Sequence, residues 1–162
     1  MFTKIAFGGG CHWCTEAVFQ ALKGVIKVEQ GYVASTGINS DLSEAVIVHY
    51  NTEIIPLSVL IEIHLLTHKS TSNHSFRSKY RSAVYFINSS DERLALEILE
   101  NLQNDFDKPI ITQVLAFKLF VASRESLHNY YAKNPDRPFC KRYINPKLNL
   151  LRNRYAHCIE EV

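Results

Sequence analysis

Residues 3–24 read TKIAFGGGCHWCTEAVFQALKG, and the way this stretch is parsed governs the rest of the chain. Thr3 to Phe7 ends in three glycines, the pattern of a buried strand running into a tight turn. From Trp13 the apolar positions Ala17, Val18, Ala21 and Leu22 recur at helical spacing, and Gly24 supplies a stop. Cys11 and Cys14 therefore sit where a strand hands over to a helix. Backbone N–H groups and the positive end of the helix dipole at such a junction favour thiolate over thiol.

The chain around this junction has 162 residues with 46% hydrophobic content, enough for one domain, 1–162, with a core that needs no staples. Its 18 basic and 16 acidic residues leave a net charge of +2. No electrostatic footprint for nucleic acid or an anionic membrane results, and a small or neutral partner is expected. No apolar run reaches the roughly 18 residues of a membrane span, and Met1 to Phe7 is too short before its glycines for a signal peptide. A cytoplasmic location is expected, in which the four cysteines, Cys11, Cys14, Cys140 and Cys158, are reduced, catalytic or metal-binding rather than a disulfide frame.

Downstream, Val25 to Val33 and Ala45 to Tyr50 are rich in β-branched and aromatic residues and read as strands, with the turn-rich Ser35 to Ser40 between them. Pro56 fits a first helical position ahead of Leu57 to Leu66. The polar stretch Thr67 to Lys79 reads as a functional loop, followed by a strand from Ser82 to Ile87. Ser89 and Glu92 have capping-box spacing at the head of a third helix. Pro109 to Phe117 is expected to be a strand and 123–133 a short helix. Strand, helix, two strands, helix, strand, helix, strand is the order of an α+β layered fold with a mixed sheet.

Read from the residues alone, the Cys11-x-x-Cys14 pair has several meanings. Two small buried residues are one. A closed metal site needs about four ligands, and no second close Cys or His pair stands in the sequence. A thioredoxin-like dithiol wants Cys-x-x-Cys after a strand and before a helix, which this chain provides.

Further motifs narrow the choice. Gly10-Cys11-His12-Trp13-Cys14-Thr15-Glu16 resembles the glycine-cysteine-phenylalanine-tryptophan signature of the A-type peptide methionine sulfoxide reductases. Gly31-Tyr32, Ser43-Glu44-Ala45-Val46 and Tyr80-Arg81-Ser82-Ala83-Val84-Tyr85 are similar to that family's later motifs, in the same order. Lys133-Asn134-Pro135 through Cys140, and Ile144 to Leu148, look like one version of its carboxyl-terminal region. The resemblance implies an α+β two-layer sandwich with a mixed, mainly antiparallel sheet and a ferredoxin-like core, and a flexible C-terminal segment from about residue 135.

It also implies a chemistry. Reducing a sulfoxide needs a soft nucleophile at sulfur and a proton for the departing oxygen. By resemblance Cys11 attacks and becomes a sulfenic acid, Glu44 donates the proton and Tyr80 hydrogen-bonds the oxygen. Glu44 also opens the apolar run Ala45-Val46-Ile47-Val48, where burial favours a protonated acid. Taken singly, Glu44 reads as a solvated strand-end residue and Tyr80 as a packed aromatic. A second thiol then resolves the sulfenic acid. Cys140 matches the family's resolving position, in a segment with Pro135 and Pro138 expected to be loop, while Cys14 is the alternate and Cys158 a third candidate. Trp13 would wall the substrate's S-methyl group, with His12 beside it in the substrate pocket.

The implied partners are methionine sulfoxide, free or in proteins, and thioredoxin or a similar dithiol as reductant. No metal, flavin or nucleotide is implied, and Gly8-Gly9-Gly10 lacks a phosphate-loop continuation. There are departures. His12 stands where the family has phenylalanine, the loop between Tyr32 and Glu44 is short and lacks a tyrosine, Ser75 replaces an acidic residue with His74 beside it, and Arg124 to Asn129 matches only with a shift. Two other classes stay open: a thiol-based redox sensor or sulfoxide-binding module, and a general dithiol oxidoreductase using Cys11 and Cys14.

Overall fold

The computed structural model describes residues 1–160, so the last two positions of the expected domain lie outside the described residues. Its elements are β1 (Phe2–Gly8), α1 (His12–Gln20), β2 (Val25–Ala34), β3 (Ser43–Asn51), α2 (Leu57–Leu66), β4 (Ala83–Phe86), α3 (Ser89–Leu102), β5 (Gln113–Ala116), β6 (Leu119–Ala122), α4 (Tyr130–Lys133) and α5 (Asn145–Arg154). The six strands form one sheet in the order β5-β4-β1-β3-β2-β6. Among the described residues only β4 and β5 pair parallel; the β1–β3, β1–β4, β2–β3 and β2–β6 ladders are antiparallel. The inner order β4-β1-β3-β2 is the split βαβ of a ferredoxin-like core, with β5 and β6 added at its edges.

Alternation along the strands divides the core in two. Ile5 and Phe7 of β1, Val46, Val48 and Tyr50 of β3 and Val84 of β4 pack with Phe19, Leu60, Ile61 and Leu151 of the helices. Ala6, Val33, Ala45, Ile47, Ala83 and Tyr85 face the other way and are covered by Leu115, Phe117 and Phe120. The helices thus lie on one face, and the architecture is a two-layer α+β sandwich. Phe7 stacks on Phe19 with ring centroids 4.7 Å apart. Each fully buried side chain of this kind stabilises the fold by about 1.5–3 kcal/mol.

Register places the site. Gly8, the last residue of β1, pairs with Ala45 in β3 and Ala83 in β4. One end of the sheet therefore gathers the exit of β1 with the entries of β3 and β4, and Cys11, Glu44 and Tyr80 all lie there. Glu44 shares the helix-side face with Val46 and Val48, two and four residues on. Gly31 lets β6 approach, since a Cβ there would lie 2.3 Å from the Val121 carbonyl oxygen.

Several expectations need correcting. Strand β5 covers only Gln113–Ala116, and β6, hidden in Leu119-Phe120-Val121-Ala122, is a further strand. Pairing with the edge of β2, a tertiary event, defines it. The expected helix over 123–133 is broken into a 3₁₀ turn at Glu125–Leu127 and the single turn of α4. Asn88, not Ser89, is the N-cap of α3, and Pro56 caps α2 from outside.

The segment expected to be loop around Cys140 is helical from residue 138 to 154. Proline is tolerated in a first helical turn, which accounts for Pro138. Pro146 has no N–H for the preceding turn, and the helix widens to a π turn over Cys140–Ile144 immediately before it. Among the described residues no helix is long and apolar enough to cross a membrane.

Candidate active site

Cys11 is the N-cap of α1, and its carbonyl accepts the N–H groups of Cys14 and Thr15 at 3.0 and 3.2 Å. Its thiol is partly exposed while Cys14 is buried, and all four cysteines are free. A hydrogen bond from the Cys14 thiol holds the Cys11 thiol below its ordinary range, and the N–H groups of Trp13 and Cys14 add to this against the opposing pull of burial. Cys14 is pushed up, first as the donor of that bond, then by burial and by the charge on Cys11, with Cys140 adding to the same effect. The two thiols are thus unequal: one is prepared as a nucleophile and the other as its hydrogen-bond donor.

Glu44 is buried with its carboxyl against α1. Oε1 accepts the His12 backbone N–H at 3.3 Å, His12 Nε2 lies 3.3 Å from the same oxygen, and Lys79 Nζ lies 3.8 Å from Oε2. The loop that brings Tyr80 to this place is sewn to β3. The Lys79 carbonyl accepts the Glu44 N–H at 3.0 Å and the Ser43 hydroxyl at 2.8 Å, and Ser43 Oγ accepts the Arg81 N–H at 2.8 Å. Tyr80 is partly exposed, with Lys79 Nζ 5.1 Å from its ring centroid. A hydrogen bond with Tyr80, and then the charges of Tyr80 and Glu44, hold the Lys79 ammonium above its usual range.

Arg77 joins the two loops that sequence reasoning treated separately. Its Nη1 donates to the Gly9 carbonyl at 2.7 Å and to the Tyr80 carbonyl at 2.8 Å, and Nε donates to Ser72 at 2.9 Å. Gly9 is required there: its φ is +155°, and a Cβ would come within 2.5 Å of the His68 ring. His64 Nε2 donates to the Gly8 carbonyl at 2.8 Å, and burial holds this imidazole well below its usual range.

Lys147 of α5 is partly buried in the same region and donates to the Thr67 carbonyl. Burial lowers its ammonium while Cys14 and Cys11 draw it back up. That mutual influence makes Lys147 a cation near the thiol pair. Its side chain carried no recognisable signal in the sequence, because a lysine after Asn-Pro reads as solvated.

Trp13 stacks on Tyr130 at 4.2 Å with the rings 8° from parallel, and Phe139 meets it edge-on at 5.3 Å. Tyr130 and Phe139 were not anticipated. Glu16, also missed, holds this wall: its buried carboxylate accepts the N–H groups of Asn129 and Tyr130 at 3.1 and 3.2 Å. A glutamate flanked by Ala17, Val18 and Phe19 was the available hint, since a carboxylate on a buried face needs donors. The ring of His12, expected beside Trp13, is turned to the Gly31 carbonyl and Glu44.

Cys140 is fully buried in the core that contains Cys14, and its thiol contacts the Asn134 carbonyl at 3.5 Å. Cys158 sits at the opposite end of α1 from Cys11: its carbonyl accepts the Lys23 N–H at 2.7 Å, and Ile159 bridges to Leu22. His74 accepts the Phe76 N–H in the loop, and Ser75 is exposed. Among the described residues no group of three or more His, Cys, Asp or Glu side chains is placed to hold a metal ion.

A thiol held below its ordinary range beside a second thiol, with a buried carboxyl and a phenol at the same sheet end, is the equipment of a thiol-based oxidoreductase. Known proteins point the same way. A protein of Trichodesmium erythraeum named peptide methionine sulfoxide reductase MsrA is 34% identical over 171 residues, covering 96% of this chain and 97% of its own. The structure of Mxr1 from Saccharomyces cerevisiae in reduced form matches with a TM-score of 0.77 at 24% identity over 86% of this chain and 89% of that one. Mxr1 in complex with Trx2 matches with a TM-score of 0.64 at 23% identity over 80% and 84%. The family model described as peptide methionine sulfoxide reductase matches residues 3–158, and the chain belongs to that family of oxidoreductases.

Proposed function

We propose that the chain reduces the S-configured sulfoxide of methionine, free or in proteins, through Cys11, Glu44 and Tyr80. The observation that carries this reading is the prepared Cys11 thiol at the mouth of α1 with Glu44 and Tyr80 at the same sheet end. The Cys11 thiolate attacks the sulfoxide sulfur while Glu44 passes a proton to the oxygen and Tyr80 hydrogen-bonds it. The sulfoxide S–O bond breaks and a Cys11 S–O bond forms. Cys11 is oxidised by two electrons to the sulfenic acid, the substrate is reduced by two to methionine, and Glu44 is left as carboxylate.

The thiol of Cys140 then attacks the sulfenic sulfur, releasing water and leaving a disulfide. Cys140 is reached by opening of the C-terminal segment from about residue 135, and the π turn that begins at Cys140 is the irregular point in its helix. An external dithiol returns the disulfide to two thiols. Thioredoxin is the reductant proposed, supported by the yeast relative's structure in complex with Trx2. Trp13, with Tyr130 and Phe139 around it, offers the apolar surface for the S-methyl group.

The unequal pair of thiols, Cys11 lowered and Cys14 raised by each other's presence, favours one second reading, a dithiol oxidoreductase that exchanges disulfides through this pair. The test is dithiothreitol-driven reduction of dabsylated methionine S- and R-sulfoxide by the wild type, C11S and E44Q. Turnover of the S isomer alone, abolished in the first variant and slowed in the second, is expected. Disulfide reduction without sulfoxide reduction would establish the second reading instead.

A further inference from the structure

The chemistry above makes no use of the His12 side chain, yet its ring is among the best-held polar groups of the site. Nδ1 lies 2.8 Å from the Gly31 carbonyl oxygen. A carbonyl can only accept, so Nδ1 carries a hydrogen and donates it. Nε2 is then the ring atom whose protonation is open, and it lies 3.3 Å from Glu44 Oε1. The backbone N–H of His12 approaches that same oxygen at 3.3 Å. One residue thus grips one carboxyl oxygen twice.

Both residues are buried, His12 to 3% exposure and Glu44 to 6%. A carboxylate opposite an unprotonated Nε2 would place two acceptors face to face in a site with little water, which is costly. One proton between them turns that 3.3 Å contact into an attractive ion-pair contact, which becomes a charge-assisted hydrogen bond when the two atoms close to about 2.8 Å.

We propose that His12 and Glu44 hold one proton in common, and that His12 is the positioning residue that keeps Glu44 loaded and aimed as proton donor. This rests on the reading of Glu44 as the acid of sulfoxide reduction. The step balances: the pair gives its proton to the sulfoxide oxygen as the S–O bond breaks, Cys11 supplies the two electrons, and one proton from water restores the pair. Three other groups face it. From the loop before β4, Lys79 Nζ is 3.8 Å from Oε2 on a side chain 64% exposed; from α1, the Cys11 thiol feels the charge of Glu44; from β2, the Tyr32 ring centroid lies 5.2 Å from that of His12. Lys79 is screened by water, Tyr32 meets the His12 ring through its own ring, and neither replaces the proton at Nε2.

Two measurements test this. On the resting protein, long-range ¹H–¹⁵N NMR follows the His12 ring nitrogens against pH in the wild type and in E44Q. The expected result is a hydrogen on Nδ1 throughout and an Nε2 signal that differs between the wild type and E44Q, since only the wild type offers that nitrogen a carboxyl oxygen. In the second, the pH dependence of kcat/KM for the S-sulfoxide is compared in wild type, H12Q and H12F. Glutamine keeps a donor to Oε1 but no titrating proton, and phenylalanine keeps neither.

Both variants are expected to lower kcat/KM about ten-fold or more at alkaline pH and less at acid pH, with H12Q retaining the wild-type KM. Should H12F fail to fold, H12Q carries the comparison. Nitrogen shifts unmoved by E44Q, or pH profiles that coincide, overturn the proposal. A folded wild type without turnover overturns the reductase reading instead, and the nitrogen shifts then decide the pair alone.

Discussion

Cys11 and Cys140 are thiols of one chain in opposite surroundings. Cys11 caps a helix at the exit of the central strand, partly exposed, with a thiol donor and two backbone N–H groups holding it below its ordinary range. Cys140 begins a π turn in the core with no exposed surface, and burial pushes its thiol up. The contrast is one of exposure and neighbours. Both thiols lie at a helix start, where N–H groups are unused and able to hold an anion, but at Cys140 burial outweighs the N–H group that acts on it.

The proposed cycle divides along the same line, with a nucleophile ready in the resting state and a resolving thiol that must be released. The sharpest break with this picture would come from serine variants. C11S is expected to lose sulfoxide reduction by more than about a thousand-fold. C140S is expected to form one equivalent of methionine per enzyme in a single turnover and then to stop when thioredoxin is the reductant. If C140S cycles at the wild-type rate, Cys14 resolves the sulfenic acid and the division fails. C158S, altered at the far end of α1, is expected to cycle normally.

Next in size is E44Q, which removes the proposed acid and is expected to lower the single-turnover rate constant about a hundred-fold in stopped-flow. A smaller effect separates Cys11 from its donor. C14A removes the thiol neighbour that is the largest influence on Cys11, so the midpoint of iodoacetamide alkylation against pH should rise toward the ordinary 9.0 of a thiol. An unmoved midpoint would assign the effect to the backbone N–H groups.

The smallest expected effect concerns the histidine support beneath Gly9. Burial holds His68 down to about 3 against an ordinary 6.5. Between those values the unfolded chain binds a proton that the folded chain does not, so stability present above pH 6.5 is lost as pH falls toward 3. The slope is up to about 1.4 kcal/mol per pH unit from this residue. Urea unfolding at pH 7, 6 and 5 should show a shallower loss in H68Q than in the wild type.

The inner strands and first three helices were legible because their patterns are local: a β-branched run with alternating faces for β3, or a helical stripe after Cys14, restricts what the backbone can do wherever it packs. The edge strand β6 and the helix bearing Cys140 were not. Leu119 to Ala122 has too few residues to announce a strand until β2 offers it a ladder. Pro135 and Pro138 read as marks of a loop, and the helix that forms from residue 138 accommodates the missing N–H of Pro146 with a π turn. Within the site, Cys11 and Trp13 stood out by sequence position and resemblance. Glu16 and Lys147 did not, because a charged residue reads as solvated until its buried partners are known.

The sequence by itself determined the strand-to-helix junction at Cys11, since glycines before it and a helical stripe after it act over a few residues. It also determined the α+β order and the apolar strand entered by Glu44. Only the tertiary structure decided that His12 turns to Glu44, that Glu16 holds Tyr130 on Trp13, and that Cys140 is sealed in the core. Those outcomes depend on antiparallel register across β1, β2 and β3 and on a helix from the far end of the chain. Groups separated by 32 and 114 residues meet only when the sheet and its helices close.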